Sequence, residues 1–378
     1  MKNNILYINL DFKNYKNKTL AQLKAFNNIG LETYLLSLEQ IGDNTYDLVF
    51  YKYIDKRLKE VKRYFTIVGE RMSYKFNNVI KTYILEIFED YKFEYIYIRR
   101  MDIMIVFYYK LLKYVHKYSK VIYELPTYPF DKVKNIKKVI LQKVEMIVFN
   151  LLIKKYIDII PIIKQKDVKI DKKMIEIFNG VDVDKYSNKV DMNRNINIRQ
   201  INFIGIAHVN YWHGYDRFIK SMKEYSGNKI IKFTIISNET EEIKKLKNLV
   251  KKLDLENAVE FINHMEIENI IEQLNLYNIG VGGISYHRRG AVLDTSIKNK
   301  EYCLFGLPFI IECEDKAFKK DFNYLYKVEE NESLINISDI IDWYFNVYNE
   351  NTVKDMQKYA ADNLTFDVQI KKIINKLK

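Results

Sequence analysis

The sequence predicts an α/β protein made of two doubly wound, Rossmann-like domains. Short apolar runs alternate with amphipathic helical stretches along the whole 378-residue chain, the pattern of parallel sheets covered on both faces. The alternation runs twice, on either side of a polar, pattern-free stretch at 187–199 that reads as a linker. The length is enough for two buried cores. The expected division is 1–190 and 191–360, with a terminal helix over 361–378 returning to the first domain.

In order, the strands expected in the first half are NILYINL (4–10), TYLLSL (33–38), YDLVFYKY (46–53), EYIYIRR (94–100), KVIYEL (120–125) and IDIIPII (157–163). Between them, helices are expected over 20–30, with Gly30 at its end, over the basic stretch 56–90, and over 104–118 and 132–156. MIEIFNGVDVDKY (174–186) closes the half. The second half gives strands at 200–206, 231–237, 258–263 and 279–284. Its helices are expected at 215–225, 240–255 and 266–277, and over 350–376 with a break near Asn363 to Phe366. Two such sheets in tandem place a ligand cleft between their carboxyl ends.

Composition narrows the partners. The net charge is +12, but it is not evenly spread. Residues 1–190 hold 35 Lys+Arg against 22 Asp+Glu, and residues 191–378 hold 26 against 27. The basic first half suits an anionic membrane surface or an acidic acceptor, and helix 132–156, with seven lysines, is the best candidate for a membrane-surface element. Nucleic acid is not expected, because no recognition module is visible. Cys303 and Cys313 have no metal-ligand companions and read as reduced buried thiols. MKNNILYINLDF does not read as a signal peptide, and no run approaches the roughly 18 apolar residues of a membrane span. A cytoplasmic protein, peripheral at the inner face of the membrane, is the expectation.

The most informative stretch is IGVGGISYHRRGAVLDTSIKNKEYCLFGLPFII (279–311). A strand runs into a basic loop carrying His287, Arg288 and Arg289. Asp294, Thr295 and Ser296 follow, residue types that start helices. The next helix carries Lys298 and Glu301 and is closed by Gly306. Strand, basic loop and helix start make an anion site. A diphosphate there would meet backbone donors and Lys298, while Glu301 would accept two sugar hydroxyls. A second anion-ready turn is GIAHVNYWHGYDRFI (205–219), with Gly205, His208, His213 and Gly214; the two histidines lack companions for zinc, and no metal is expected. The third constellation is YELPTYPFD (123–131). Glu124 ends a central strand and is a candidate for orienting or deprotonating an acceptor hydroxyl. Arg99, Arg100 and Tyr128 are candidates for contacting an acidic acceptor, and Asp131 for capping the next helix.

Taken together, Asn179-Gly180-Val181-Asp182, the Gly205 to Gly214 turn and Glu301-Tyr302-x-x-x-Gly306-Leu307-Pro308 resemble the signposts of GT-B glycosyltransferases, the retaining group often filed as family 4. SYHRRG with SIKNKEY, YELPTYPFD and KTLAQLKAFNNIG are similar to bacterial exopolysaccharide and capsule members. The resemblance implies an acceptor domain followed by a nucleotide-sugar domain. It implies transfer of a sugar from a nucleotide-diphosphate sugar to a glycan or lipid-linked acceptor, with retention and without a metal or other cofactor. It implies Glu301 on the ribose and residues 295–298 on the diphosphate. Ile206 and His213 stand where the family usually has Arg and Lys, Leu293 stands where it has the first paired Glu, and DFKNYKNKT (11–19) replaces its glycine-rich acceptor loop. The missing positive charge is expected from His287, Arg288, Arg289 and Lys298, with His213 and Arg288 in the catalytic set. A nucleotide-sugar 2-epimerase and a non-catalytic glycan-binding or partner subunit are the alternatives on the same architecture.

Overall fold

A computed structural model describes residues 3–69, 74–100, 105–129, 143–164, 166, 168–186, 198–265 and 267–377. The chain forms two compact units. The first combines Met1–Lys164, Val168–Phe178 and Phe366–Lys378, and the second is built on Asn179–Thr365. The expected linker over 187–199 falls almost wholly outside the described residues, as do the first part of the 132–156 helix and Asp131.

Among the described residues the first unit holds eight strands: β1 (Asn4–Ile8), β2 (Glu32–Gly42), β3 (Thr45–Ile54), β4 (Arg57–Val68), β5 (Tyr95–Arg99), β6 (Lys120–Tyr128), β7 (Ile160–Lys164) and β8 (Met174–Ile177). Their order is β4-β3-β2-β1-β5-β6-β7-β8. β1 is parallel to both neighbours and buried along its length, as a central strand covered on both faces must be. Side chains alternate between two cores. Leu6 and Ile8 join Ile84, Ile87 and Leu111 on one face; Ile5 and Tyr7 join Phe26, Phe366 and Ile370 on the other. The helices Lys16–Asn28 and Phe366–Leu377 therefore share that second face, and Asn28 bonds Asp367 at 2.8 Å.

One expectation for this unit is corrected. Residues 56–90 are not all helical: Arg57–Val68 is a strand antiparallel to β3, and the helix described in this stretch is Tyr74–Asp90. Asp55 and Lys56 both take positive φ, the two-residue turn whose twist suits a hairpin. Neither is glycine or asparagine, so the turn gave little signal, and Arg63 bridges Glu39, Asp47 and Glu60 across the ribbon.

The second unit holds β9 (Gln200–Ile206), β10 (Ile230–Ser237), β11 (Val259–Asn263), β12 (Ile279–Val281), β13 (Phe309–Ile311) and β14 (Leu325–Lys327). All neighbours are parallel, in the order β11-β10-β9-β12-β13-β14. In strand sequence that is 3-2-1-4-5-6, the doubly wound order, whose chain reverses direction of winding between β9 and β12. The carboxyl ends of those two strands are where a ligand is expected. The helix Thr352–Asn363 ends one residue before Leu364, and Phe366 starts the last helix, so the break expected near Asn363 is real.

Candidate functional site

At the β9/β12 switch point two loops meet. After β9, residues 207–214 include the short turn Tyr211–His213; after β12, residues 282–296 include the turn Tyr286–Arg289. The Ile284 N–H donates to the His213 carbonyl at 3.1 Å and ties the loops together. Their approach depends on glycine at one place, and the packing of β9 against the helix Tyr215–Glu224 depends on it at another. Gly214 has φ +75°, and a Cβ there would fall 2.4 Å from Ser285 Oγ; a Cβ at Gly205 would fall 2.7 Å from the Tyr215 ring. Tyr302, from the expected Glu-Tyr motif, accepts the Ile206 N–H at 3.2 Å and braces β9 against the helix Ile297–Leu304.

That helix starts differently from its expected form. Ser296 makes no side-chain cap; Asp294 does the work, accepting the Ser296 N–H at 2.7 Å and the Asn299 side-chain amide at 2.9 Å. Asp315 accepts from Asn299 at 3.0 Å and pairs with the buried Lys300, whose Nζ also donates to the Ser296 carbonyl. Thr295 accepts from Asn179 Nδ2 at 3.4 Å through its carbonyl. The helix start is thus clamped from beneath, with its partial positive charge at the carboxyl end of the sheet.

Lys298 stands out within this frame. Its side chain is buried, 7% exposed, and its Nζ has no hydrogen-bond partner, lying 6.0 Å from the Tyr215 ring centroid. Burial, only partly offset by Asp294, lowers its pKa to about 8, and Arg289 lowers it further while Glu301 acts the other way. Ser285 Oγ is equally buried and equally without a partner. His213 is neutral: burial first, then the Lys298 charge, push its pKa down to about 2. Its Nδ1 accepts the Asn210 N–H at 2.9 Å, which leaves the proton on Nε2 as a donor. The same electrostatic environment includes Arg289 and His208, the latter an exposed side chain.

The expected cationic triplet divides. Arg288 is held by Asp216 at 2.7 and 3.1 Å, by Glu332 at 2.8 and 2.7 Å, and by the Tyr211 carbonyl at 2.7 Å. His287 lies between Glu312 (2.6 Å) and Glu332 (2.7 Å); burial opposes its charge, yet the two carboxylates raise its pKa. Neither group is left free for a ligand. Arg289 is exposed and stacks on Tyr286 at 4.3 Å and near Trp212 at 5.7 Å, a cation held by aromatic faces rather than by a carboxylate. The positive charge available at this edge therefore comes from Lys298 and Arg289.

The carboxyl edge of the first sheet is organised around Glu124, which is fully buried. Its Oε1 accepts from Lys18 at 2.9 Å and Arg99 at 2.8 Å, its Oε2 from Tyr97 at 2.7 Å and Gln22 at 3.1 Å. Burial would raise its pKa, but Lys18 and Arg99 outweigh it and bring it to about 2. A carboxylate so saturated is a poor base, so the deprotonating role expected of Glu124 does not fit its surroundings. Arg99 also lies 4.1 Å from the Tyr15 ring, and Arg100 pairs with Glu145 at 2.8 Å. Tyr128 is half-buried in the last position of β6, beside Lys164.

Sequence reasoning missed Ser285, Lys18, Gln22, Tyr97, Asn299 and Lys300. The small hydroxyl after Gly282-Gly283 was a signal for Ser285, and the lysines in the loop after β1 were one for Lys18. Among the described residues no group of His, Cys, Asp and Glu could hold a metal ion, and no helix is long and apolar enough to cross a membrane.

No protein-family model and no curated protein matches the sequence. Solved structures do match over nearly the whole chain. A glycosyltransferase from Rickettsia africae is 12% identical with a TM-score of 0.69, covering 100% of this chain and 99% of its own. The catalytic domain of starch synthase IV from Arabidopsis thaliana, bound to ADP and acarbose, is 9% identical with a TM-score of 0.65, covering 100% and 99%. HepE from Anabaena, in complex with UDP-glucose, is 11% identical with a TM-score of 0.56, covering 99% of each chain. The chain has the fold of these proteins, that of the GT-B glycosyltransferases.

Proposed function

We propose that this protein is a glycosyltransferase that moves a sugar from a nucleoside-diphosphate sugar to a hydroxyl of a glycan or lipid-linked acceptor. The observation that carries the reading is Lys298, a buried ammonium without a hydrogen-bond partner at the switch point of a doubly wound sheet. Such a cation is costly to keep unless an anion completes it. The likeness in fold to proteins solved with ADP and with UDP-glucose supports a nucleoside diphosphate as that anion and leaves the base open.

In this reading the β-phosphate sits between Lys298 and the helix start at Ser296, with Arg289 over its outer side. These charges stabilise the leaving diphosphate, the part a metal plays elsewhere. His213, neutral with its proton on Nε2, donates to a sugar or phosphate oxygen; Ser285 adds a hydroxyl, and Glu301 accepts the ribose hydroxyls. Transfer proceeds with retention: the acceptor hydroxyl attacks on the face the diphosphate leaves, and the departing phosphate oxygen takes its proton. That route needs no carboxylate base, in keeping with the occupied oxygens of Glu124. The acceptor belongs to bacterial surface polysaccharide synthesis at the inner membrane face, and the basic first half of the chain suits that setting.

Calorimetric titration with UDP, GDP and ADP, followed by turnover of the matching sugar nucleotides, tests the proposal. One diphosphate should bind the wild type, and Lys298→Met should weaken it by about 30-fold or more, the loss of a buried charge contact. Equal affinity in both proteins would overturn the assignment, and interconversion of donor sugars without transfer would replace it with epimerisation.

A further inference from the structure

The helical segment at 143–153 carries its apolar residues on the wrong side for a core helix. Residues 143–148 are α-helical and Phe149–Ile153 continues as a wider π turn. Phe149 and Ile153 point inward, against Tyr123 and the first-unit core, and Glu145 is fixed there by Arg100. On the opposite side Val144, Ile147 and Leu151 follow the i, i+3, i+7 spacing of one helix face. They are 50%, 56% and 70% exposed, and Leu152 beside them is 43% exposed. Single exposed leucines are common on soluble proteins, but a row of them along one helix marks a surface that something covers.

We infer that this face is an insertion surface for an anionic lipid bilayer, lying in the membrane interface with Val144, Ile147, Leu151 and Leu152 among the acyl chains. Charge complementarity selects the occupant. The helix Ile105–Val115, which packs against Phe149–Ile153 and sets Tyr109 on Tyr156 just beyond it, presents Lys110 and Lys113 to solvent, and Lys117 follows it. Lys143 and Lys155, also exposed, stand at the two ends of the apolar row. Among the described residues the nearby carboxylates are already engaged: Glu145 is paired with Arg100, Asp171 with Lys154, and Asp158 lies with His116 and Lys120. A stripe of aliphatic side chains with an exposed lysine at each end, on a unit whose neighbouring helix also exposes lysines, matches the boundary between acyl chains and anionic headgroups. A second copy of the chain would bring the same lysines against themselves. The inference does not rest on the donor chemistry.

Flotation of the full-length protein with vesicles tests it, using phosphatidylcholine alone and phosphatidylcholine mixed with phosphatidylglycerol. The wild type should float with the anionic vesicles and much less with the neutral ones. Salt should weaken this without abolishing it, since the apolar part is not screened. The double variant Ile147→Glu with Leu151→Glu should lose at least about tenfold in vesicle partitioning while its circular dichroism and diphosphate binding stay unchanged. Both positions are exposed, so folding is not at stake; a fluorophore on Leu151→Cys should shift to the blue with anionic vesicles only. A wild type that does not float, a double variant that floats like the wild type, or a dimer that the double variant splits without any vesicle binding would each overturn the inference.

Discussion

The carboxyl edges of the two sheets are built alike and completed in opposite ways. Each brings a buried charge to the ends of central parallel strands. In the first unit the charge is Glu124, and folding supplies it with four donors from two other elements, the helix Lys16–Asn28 and β5. In the second it is Lys298, and among the described residues folding supplies its Nζ with none. The closed edge contributes stability, and the open edge gives some of it up. Of these two buried charges, one on a strand and one on a helix, the one left electrostatically incomplete is the better candidate for meeting a ligand.

Breaking the closed edge should have the largest effect on stability. Glu124→Gln leaves Lys18 and Arg99 buried without their counter-charge, and the loss of one partner in such a cluster costs about 3–5 kcal/mol. Amide hydrogen exchange in β1, β5 and β6 should accelerate accordingly, while diphosphate affinity in the second unit stays near wild type. Unchanged protection in those strands would mean that the cluster is not a stabilising unit. The pH dependence has a definite sign. The folded pKa of Glu124 is depressed to about 2, so its contribution is complete above the unfolded carboxylate value near ~4.3 and is lost as pH falls through about 2.

The open edge should respond with the opposite sign. Lys298 titrates near 8 when folded and near ~10.4 when unfolded. Between those values the unfolded chain holds the proton and the folded one has released it, so stability rises with pH across that window. Below pH 8 the buried ammonium costs roughly 3 kcal/mol, about 1.4 kcal/mol for each unit of depression. Lys298→Met should therefore stabilise the ligand-free protein at pH 7, and that advantage should shrink by pH 10. Denaturation at the two pH values measures it. A destabilised Met variant at pH 7 would show that Lys298 holds the fold together rather than waiting for an anion.

Much of this contrast could not be read from the sequence. The alternating strands, the doubly wound class and the strand, loop and helix of 279–311 were legible, because periodicity and helix-start residues are local. The partners of the charges were not. Lys18 lies 106 positions from Glu124, and Asp216 and Glu332 lie 72 and 44 positions from Arg288. Which arginine of the pair is neutralised depends on where those distant carboxylates arrive, and nothing in HRR distinguishes one from the other. The β3–β4 hairpin was hidden for a local reason: Asp55-Lys56 adopts a turn that glycine usually signals, and lysines and arginines on its outer side imitate a basic helix. Lys298 itself was found by its place near a helix start, but its missing partner is a property of the packed structure.

The smallest expected effect separates the two neighbouring arginines and tests whether the open edge extends beyond Lys298. Arg288 sits in a carboxylate network whose outer member, Glu332, is largely exposed, so Arg288→Gln should cost up to about 1 kcal/mol of stability. Its diphosphate affinity should hardly change, because its charge is already spent on Asp216 and Glu332. Among the described residues Arg289 is held by aromatic faces and pairs with no carboxylate, so Arg289→Gln should leave stability nearly unchanged. It should weaken the diphosphate about threefold to tenfold at low salt, the scale of one exposed charge contact. That difference should narrow as salt is raised, since Arg289 reaches the ligand from the solvent side while Lys298 acts from within. Titrations of both variants at two ionic strengths decide the matter. If Arg288→Gln lost the affinity and Arg289→Gln did not, the carboxylates around Arg288 would have to release it on binding, and the edge would be less preformed than its hydrogen bonds indicate.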